Sequence, residues 1–140
     1  MEPIPKVTGI LETALYVEDV ARSANFYRSL FGFEVMIQDH RFCALSVAGK
    51  NVLLLFLRGG TTQPMEVPGG IIPPHDGSGQ MHFAFSIPAT ELEAWEGLLA
   101  ARHITIESKT SWPRGGFSLY FRDPDQNLVE LATPGLWPIY

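Results

Sequence analysis

Three ionisable side chains far apart in the chain, Glu12, His82 and Glu130, each stand in a short β-prone run whose neighbours alternate between apolar and polar or small. Successive side chains of a strand point to opposite faces. Leu11, Thr13, Leu15 and Val17 therefore share one face, and Glu12, Ala14 and Tyr16 the other. Phe83, Phe85 and Ile87 separate in the same way from His82, Ala84 and Ser86, and Val129 and Leu131 from Glu130. The apolar face suits packing beneath a helix, and the other face sets a polar group beside small residues, with room for a ligand. Two carboxylates held together on a half-buried surface repel, and the pKa of at least one rises unless a cation neutralises them. Imidazole with carboxylate oxygens suits a borderline or hard divalent ion, and three protein ligands leave positions open for water and a chelating substrate. The expected cofactor is a divalent metal ion, with Zn, Ni, Co, Mn, Mg and Fe all left open.

The elements that must position these residues can be read along the chain. A strand-like stretch from Gly9 to Val17 precedes Asp19, a helix N-cap type, and Val20, Ala24, Tyr27 and Phe31 then recur at helical spacing up to Gly32. Glu34–Asp39, Phe42–Val47 and Val52–Leu57 are three further β-prone runs. Residues 58–80 are dense in Gly and Pro and are expected to form a connector or lid without sustained regular structure. After the strand His82–Ile87, Thr90-Glu91-Leu92-Glu93 has capping-box spacing. Leu92, Trp95 and Leu99 line a helix expected to end near Arg102, followed by strands over Ile104–Lys109, Phe117–Arg122 and Leu128–Ala132. The order βαβββ thus occurs twice, and Glu12–Val17 overlays His82–Ile87 at a constant offset of 70. The expected fold is α+β: a single domain over 1–140 whose two βαβββ modules, 9–57 and 82–132, form a cupped, barrel-like mixed sheet.

Bulk properties narrow the partners. With 46% apolar residues the chain can bury a core. The net charge is −5 and the ten Lys and Arg residues are scattered, so no basic stripe is offered to nucleic acid. The longest apolar run, around Val52–Leu57, is about a third of the ~20 residues a membrane helix requires. No secretion signal opens the sequence, and the single cysteine, Cys43, reads as a buried small hydrophobe. A cytoplasmic protein bound to neither nucleic acid nor membrane is expected.

Several segments, in this order and spacing, resemble the vicinal-oxygen-chelate proteins, the glyoxalase/bleomycin-resistance/dioxygenase family, from Gly9 to Thr133. Leu11–Asp19 with Phe26-Tyr27 and Leu30-Phe31-Gly32-Phe33 looks like the family's opening strand and helix, and Gly79–Phe85 like its second opening strand. Phe121-Arg122-Asp123-Pro124-Asp125-Gln126-Asn127 followed by Leu128–Leu131 looks like its closing turn and strand, the most specific of these matches. The resemblance implies paired modules around a metal, often completed across a homodimer interface, with Glu12, His82 and Glu130 at ligand positions. Two departures stand out. Many relatives carry His where this chain has Glu12, which moves it away from the two-His-one-carboxylate iron site of ring-cleaving dioxygenases. Glyoxalase-like members carry a fourth ligand on the fourth strand, where this chain has Leu54.

Around such a site Trp112, Arg114 and Tyr120 are candidates to line the cup, with Arg114 as a clamp for an anionic oxygen. His75 can reach it from the connector, and Tyr16 shares the face of Glu12. The leading expectation is a metal-dependent lyase, isomerase or dioxygenase acting on a small oxygen-rich molecule, with Glu130 or Glu12 as the base. The rival is a metal-free protein that sequesters a small molecule, as bleomycin-resistance relatives do. Trp137 and Tyr140 are apolar enough to dock on the body or on a partner subunit.

Overall fold

A computed structural model describes residues 2–140. The chain divides into two compact units, Met1–Ser78 and Gly79–Tyr140. In the first, strand β1 (Glu12–Val17) leads into helix α1 (Val20–Phe31), then β2 (Glu34–Gln38), β3 (Phe42–Val47) and β4 (Asn51–Leu57). Asp19 caps α1 by accepting the Arg22 amide at 3.0 Å. Gly32 closes the helix at φ 71°, a left-handed conformation that glycine adopts without a Cβ clash, and its N–H donates to the Arg28 carbonyl. The buried stripe Val20, Ala24, Tyr27 and Leu30 faces a sheet ordered β1-β4-β3-β2, in which β1 runs parallel to β4 and the other pairs are antiparallel. Leu15 and Val17 are buried, whereas Glu12 is exposed and Ala14 and Tyr16 are half-buried, but Leu11 and Thr13, expected on the face of Leu15, are exposed.

The second unit repeats the plan. Strand β7 (His82–Ser86) and helix α2 (Leu92–Ala101) precede β8 (Ser108–Ser111), β9 (Phe117–Arg122) and β10 (Leu128–Ala132), in a sheet ordered β7-β10-β9-β8. Its core holds Leu99, Leu119, Phe121, Val129 and Leu131. Registers make the repeat exact at the residue level: Ala14 pairs with Leu54 in one sheet, and Ala84 with Glu130 in the other.

Three expectations are corrected. The connector holds a short hairpin, β5 (Met65–Val67) and β6 (Gly70–Ile72), turned by Pro68-Gly69. Thr90 does not cap α2. A 3-10 turn at Ala89–Glu91 precedes the helix, and the Glu91 amide donates to the Pro88 carbonyl at 3.0 Å, so a backbone turn does the work assigned to the capping box. Strand β8 starts at Ser108 rather than Ile104, because the chain leaves α2 through His103 at φ 57° and the Ile104 amide returns to the Leu99 carbonyl.

The Asp123–Asn127 turn is a hydrogen-bonded knot. Asp123 Oδ1 accepts the Asp125 and Asn127 amides, each at 2.9 Å, and Asn127 Nδ2 donates to Asp123 Oδ2 at 3.0 Å. Asn127 Oδ1 in turn accepts the amide of Met81 at 2.9 Å, so the turn fixes the start of the strand that carries His82. Both side chains are buried. Asn127→Ala removes the side-chain donor to Asp123 Oδ2 and the acceptor of the Met81 amide, and should cost about 1–3 kcal/mol, read as a lower urea midpoint with an unchanged m-value.

The tail folds back on the second unit. Tyr140 hydroxyl donates to the Ala132 carbonyl at 2.9 Å, while Trp137 stays exposed.

Candidate metal and ligand site

In the second unit the open face of β7, β10 and β9 gathers a polar cluster around Glu130. This carboxylate is buried, 6% exposed in its side chain, and stands 3.2 Å from His82 Nε2 through Oε1. A buried carboxylate needs a compensating charge or hydrogen bonds. Ser118 supplies one, donating to Oε2 at 2.5 Å, and it accepts in turn from Trp112 Nε1 at 2.9 Å. Tyr120, opposite Glu130 in the ladder, lies within reach of the same carboxylate. Burial first, and then the Glu130 charge, push the Tyr120 phenol above its ordinary value, so it keeps its proton and serves as a donor.

The His82 ring is half-exposed, and its Nδ1 lies 3.0 Å from the Leu128 carbonyl. A carbonyl only accepts, so the proton sits on Nδ1. A neutral ring then presents a lone pair at Nε2 towards Glu130 Oε1. Two acceptors facing each other at 3.2 Å call for a positive charge, either a second ring proton or a cation.

The first unit presents a different surface. A cavity of about 610 Å³ opens over β1, β3 and β4, with Glu12, Ala14, Leu54, Phe42 and Phe56 along its sheet side. The connector covers it with Met65, Ile72 and Pro73, and His75 lines it as well. Bonds within the connector brace it, and two more tie it to the rest of the unit. His75 N–H donates to the Thr61 carbonyl and Thr61 hydroxyl returns to the His75 carbonyl, while Gly59 N–H donates to Asp76 Oδ1 at 3.1 Å. Arg41 donates to the Gly60 carbonyl at 2.8 Å, and the Tyr16 hydroxyl meets His75 Nδ1 at 2.7 Å. Burial, aided by the Asp76 charge, raises the Tyr16 phenol, so Tyr16 is the donor and His75 carries its ring proton on Nε2.

A family model matches residues 9–131, described as the Glyoxalase/Bleomycin resistance protein/Dioxygenase superfamily. The chain belongs to this superfamily. A solved lactoylglutathione lyase from Agrobacterium tumefaciens is 32% identical, with a TM-score of 0.86 over 96% of this chain and 99% of that one. Among curated relatives, the metallothiol transferase FosB of Staphylococcus saprophyticus is 26% identical over 91% of this chain and 78% of its own length. The catechol-2,3-dioxygenase of Bacillus subtilis is 31% identical over 94% of this chain, which spans only 43% of that protein.

The placement of each sequence-predicted residue in this superfamily member is therefore plain. His82, Glu130, Tyr120 and Trp112 come together in the second unit. Glu12, Tyr16 and His75 belong to the first, with Glu12 and His75 on the cavity wall. Arg114 is exposed on the turn closed by Gly115 N–H to the Trp112 carbonyl. Among the described residues no three His, Cys, Asp or Glu side chains gather into a group able to hold a metal. The described helices include none long and apolar enough to cross a membrane. Ser118 was missed by sequence reasoning, although it lies two residues before Tyr120 and so shares its face, which alternation alone could have revealed.

Proposed function

We propose that this chain is a divalent-metal-dependent enzyme acting on a small oxygen-rich molecule, with His82, Glu130 and Glu12 as the metal ligands. The observation that carries the reading is the His82–Glu130 pair. With Nδ1 committed to Leu128, the Nε2 lone pair and Oε1 are separated by 3.2 Å. Adjacent nitrogen and oxygen ligands on one ion, each about 2.0–2.2 Å from it, stand roughly 3.0–3.4 Å apart. The donor set and its spacing fit a divalent cation. The Leu128 carbonyl is the kind of outer partner that fixes the tautomer of a ligating histidine, and Ser118 does the corresponding work for the carboxylate.

When bound, such an ion polarises two neighbouring substrate oxygens and stabilises charge that develops on them. Glu130 is the proposed base: its Oε1 would have to leave the ion to take a substrate proton, while Ser118 holds Oε2. Tyr120 and Trp112 are the proposed substrate-contacting side chains beside it, and Arg114 is the proposed clamp for an anionic substrate oxygen. Lyase, isomerase and dioxygenase chemistry are all open to this fold. Glu12 is exposed on its strand, and we assign it as a ligand contributed by the partner subunit of a homodimer. Cys43 is buried and burial raises its thiol, so it takes no part in the chemistry and fits the reducing cytoplasm proposed for the protein.

A second reading, a metal-free protein that sequesters a small molecule, draws on the apolar and aromatic wall of the first-unit cavity. Metal analysis of protein purified without added ions separates the two. The enzymatic reading expects bound metal and a melting temperature that falls by several degrees on chelation, since saturation at a hundredfold above Kd is worth about 2.7 kcal/mol. Metal at trace level, with no response to Ni, Co, Mn, Zn or Mg, would favour sequestration.

A further inference from the structure

Three adjacent strands of the first sheet hold aromatic rings in register. Tyr16 of β1 is opposite Phe56 of β4, and Phe56 is opposite Phe42 of β3. Tyr16 and Phe56 lie with centroids 5.9 Å apart at 24°, and Phe42 and Phe56 5.9 Å apart at 19°, so the three rings form a nearly parallel row. His75, brought down from the connector, meets Phe56 edge-on at 4.7 Å and 75°. Phe42 and Phe56 of this row line the cavity together with His75, beside Ala14, whose small side chain leaves headroom, and Leu54, which stands where the second sheet has Glu130. The open face of one sheet thus carries a polar cluster around Glu130, and that of the other an apolar, flat-walled cavity.

The charges of the wall restrict what it can take. Its one guanidinium, Arg41, already donates to the Gly60 carbonyl, and its two carboxylates are Glu12 and Asp39. Asp39 stays ionised, because the Arg41 and Phe42 amides it accepts hold its pKa down. An anionic group such as a phosphonate or a peptide carboxylate would meet net negative charge there. The volume, about 610 Å³, falls within the range of small-molecule sites.

We propose that this cavity takes a neutral, flat ring-bearing group, an aryl substituent of the substrate, with Phe56 and the connector residue Ile72 as specificity-determining residues. The assignment rests on the proposed function only for its premise that a small molecule is the ligand. It adds the chemical class of that molecule.

Calorimetric titration of the full chain, both chelator-treated and metal-loaded, with 2-naphthol, cyclohexanol and methylphosphonate tests it. Expected is saturable 2-naphthol binding, at least about tenfold tighter than cyclohexanol, with no detectable methylphosphonate binding to chelator-treated protein. Phe56→Leu should weaken 2-naphthol about fivefold to tenfold, and Ile72→Asn, at a half-exposed position tolerant of change, about threefold. No 2-naphthol binding, equal binding of cyclohexanol, or unchanged affinity in both variants would overturn the aryl assignment. Metal content and the chelator-dependent melting shift are read on the same samples. A failed aryl site with metal present therefore leaves the metal reading standing, and aryl binding without metal removes that reading alone.

Discussion

Glu130→Gln should abolish the metal-dependent rise in melting temperature while leaving the metal-free fold at least as stable as wild type. The glutamine carbonyl can still accept from Ser118, so the Trp112–Ser118 chain of donors survives the change. What is lost is the negative charge 3.2 Å from His82 Nε2, and with it both the proposed anionic ligand and the neutralisation that a dication would need at a buried position. Replacing an outer partner of a metal site commonly costs ten- to a hundredfold in affinity, so a ligand itself should cost at least about a hundredfold. The sign in metal-free protein runs the other way, because a buried carboxylate facing a lone pair is replaced by a neutral amide. Thermal melts with and without added Ni or Zn read both effects. Undiminished metal affinity in the variant would remove Glu130 from the site.

The second large effect concerns how Glu12 reaches the pair. If each site takes Glu12 from one subunit and His82 with Glu130 from the other, Glu12→Gln and Glu130→Gln homodimers are both inactive in metal binding. Mixing the two after subunit exchange builds heterodimers in which one site carries both changes and the other is entirely wild type. Random exchange makes half the dimers mixed, so about a quarter of the wild-type sites should return. Metal stoichiometry on the mixture measures this without any knowledge of substrate. Recovery of no sites under demonstrated exchange would place all three ligands in one subunit.

Local chemistry made the fold readable from sequence, and it failed where tertiary contacts took over. Asp19 and Gly32 bound α1 as their residue types require, and alternation placed Leu15, Val17, Val129 and Leu131 in the core, but Thr13 on the same face of β1 is exposed and Glu130 on the open face of β10 is buried. The duplicated plan was legible because each module repeats the same apolar periodicity. Thr90 misled because proline at 88 sets up a backbone turn that satisfies the Glu91 amide before any side chain is needed. The hairpin at Met65–Ile72 was hidden by its glycines and prolines, which signal turns but not the three-residue ladders between them.

Within the site, residue types pointed to His82 and Glu130, with Tyr120 and Trp112 as candidates to line the same cup. Sequence could not show that Nδ1 of His82 is spoken for by Leu128, which depends on the parallel register of β7 on β10. Nor could it show that Asp123 and Asn127, whose motif carries much of the family resemblance, bond to each other and hold the Met81 amide at the start of the strand that carries His82. The aromatic row of Tyr16, Phe56 and Phe42 likewise needs the ladder register, since the three residues are far apart in the chain.

Anomalous scattering from crystals of metal-loaded protein asks most directly whether one cation unites side chains supplied by both halves of the fold. A single strong peak is predicted, about 2.0–2.2 Å from His82 Nε2, from a Glu130 oxygen and from a Glu12 carboxylate. A peak elsewhere, or none, with His82 bonded straight to Glu130 in protein soaked at saturating metal, would contradict it.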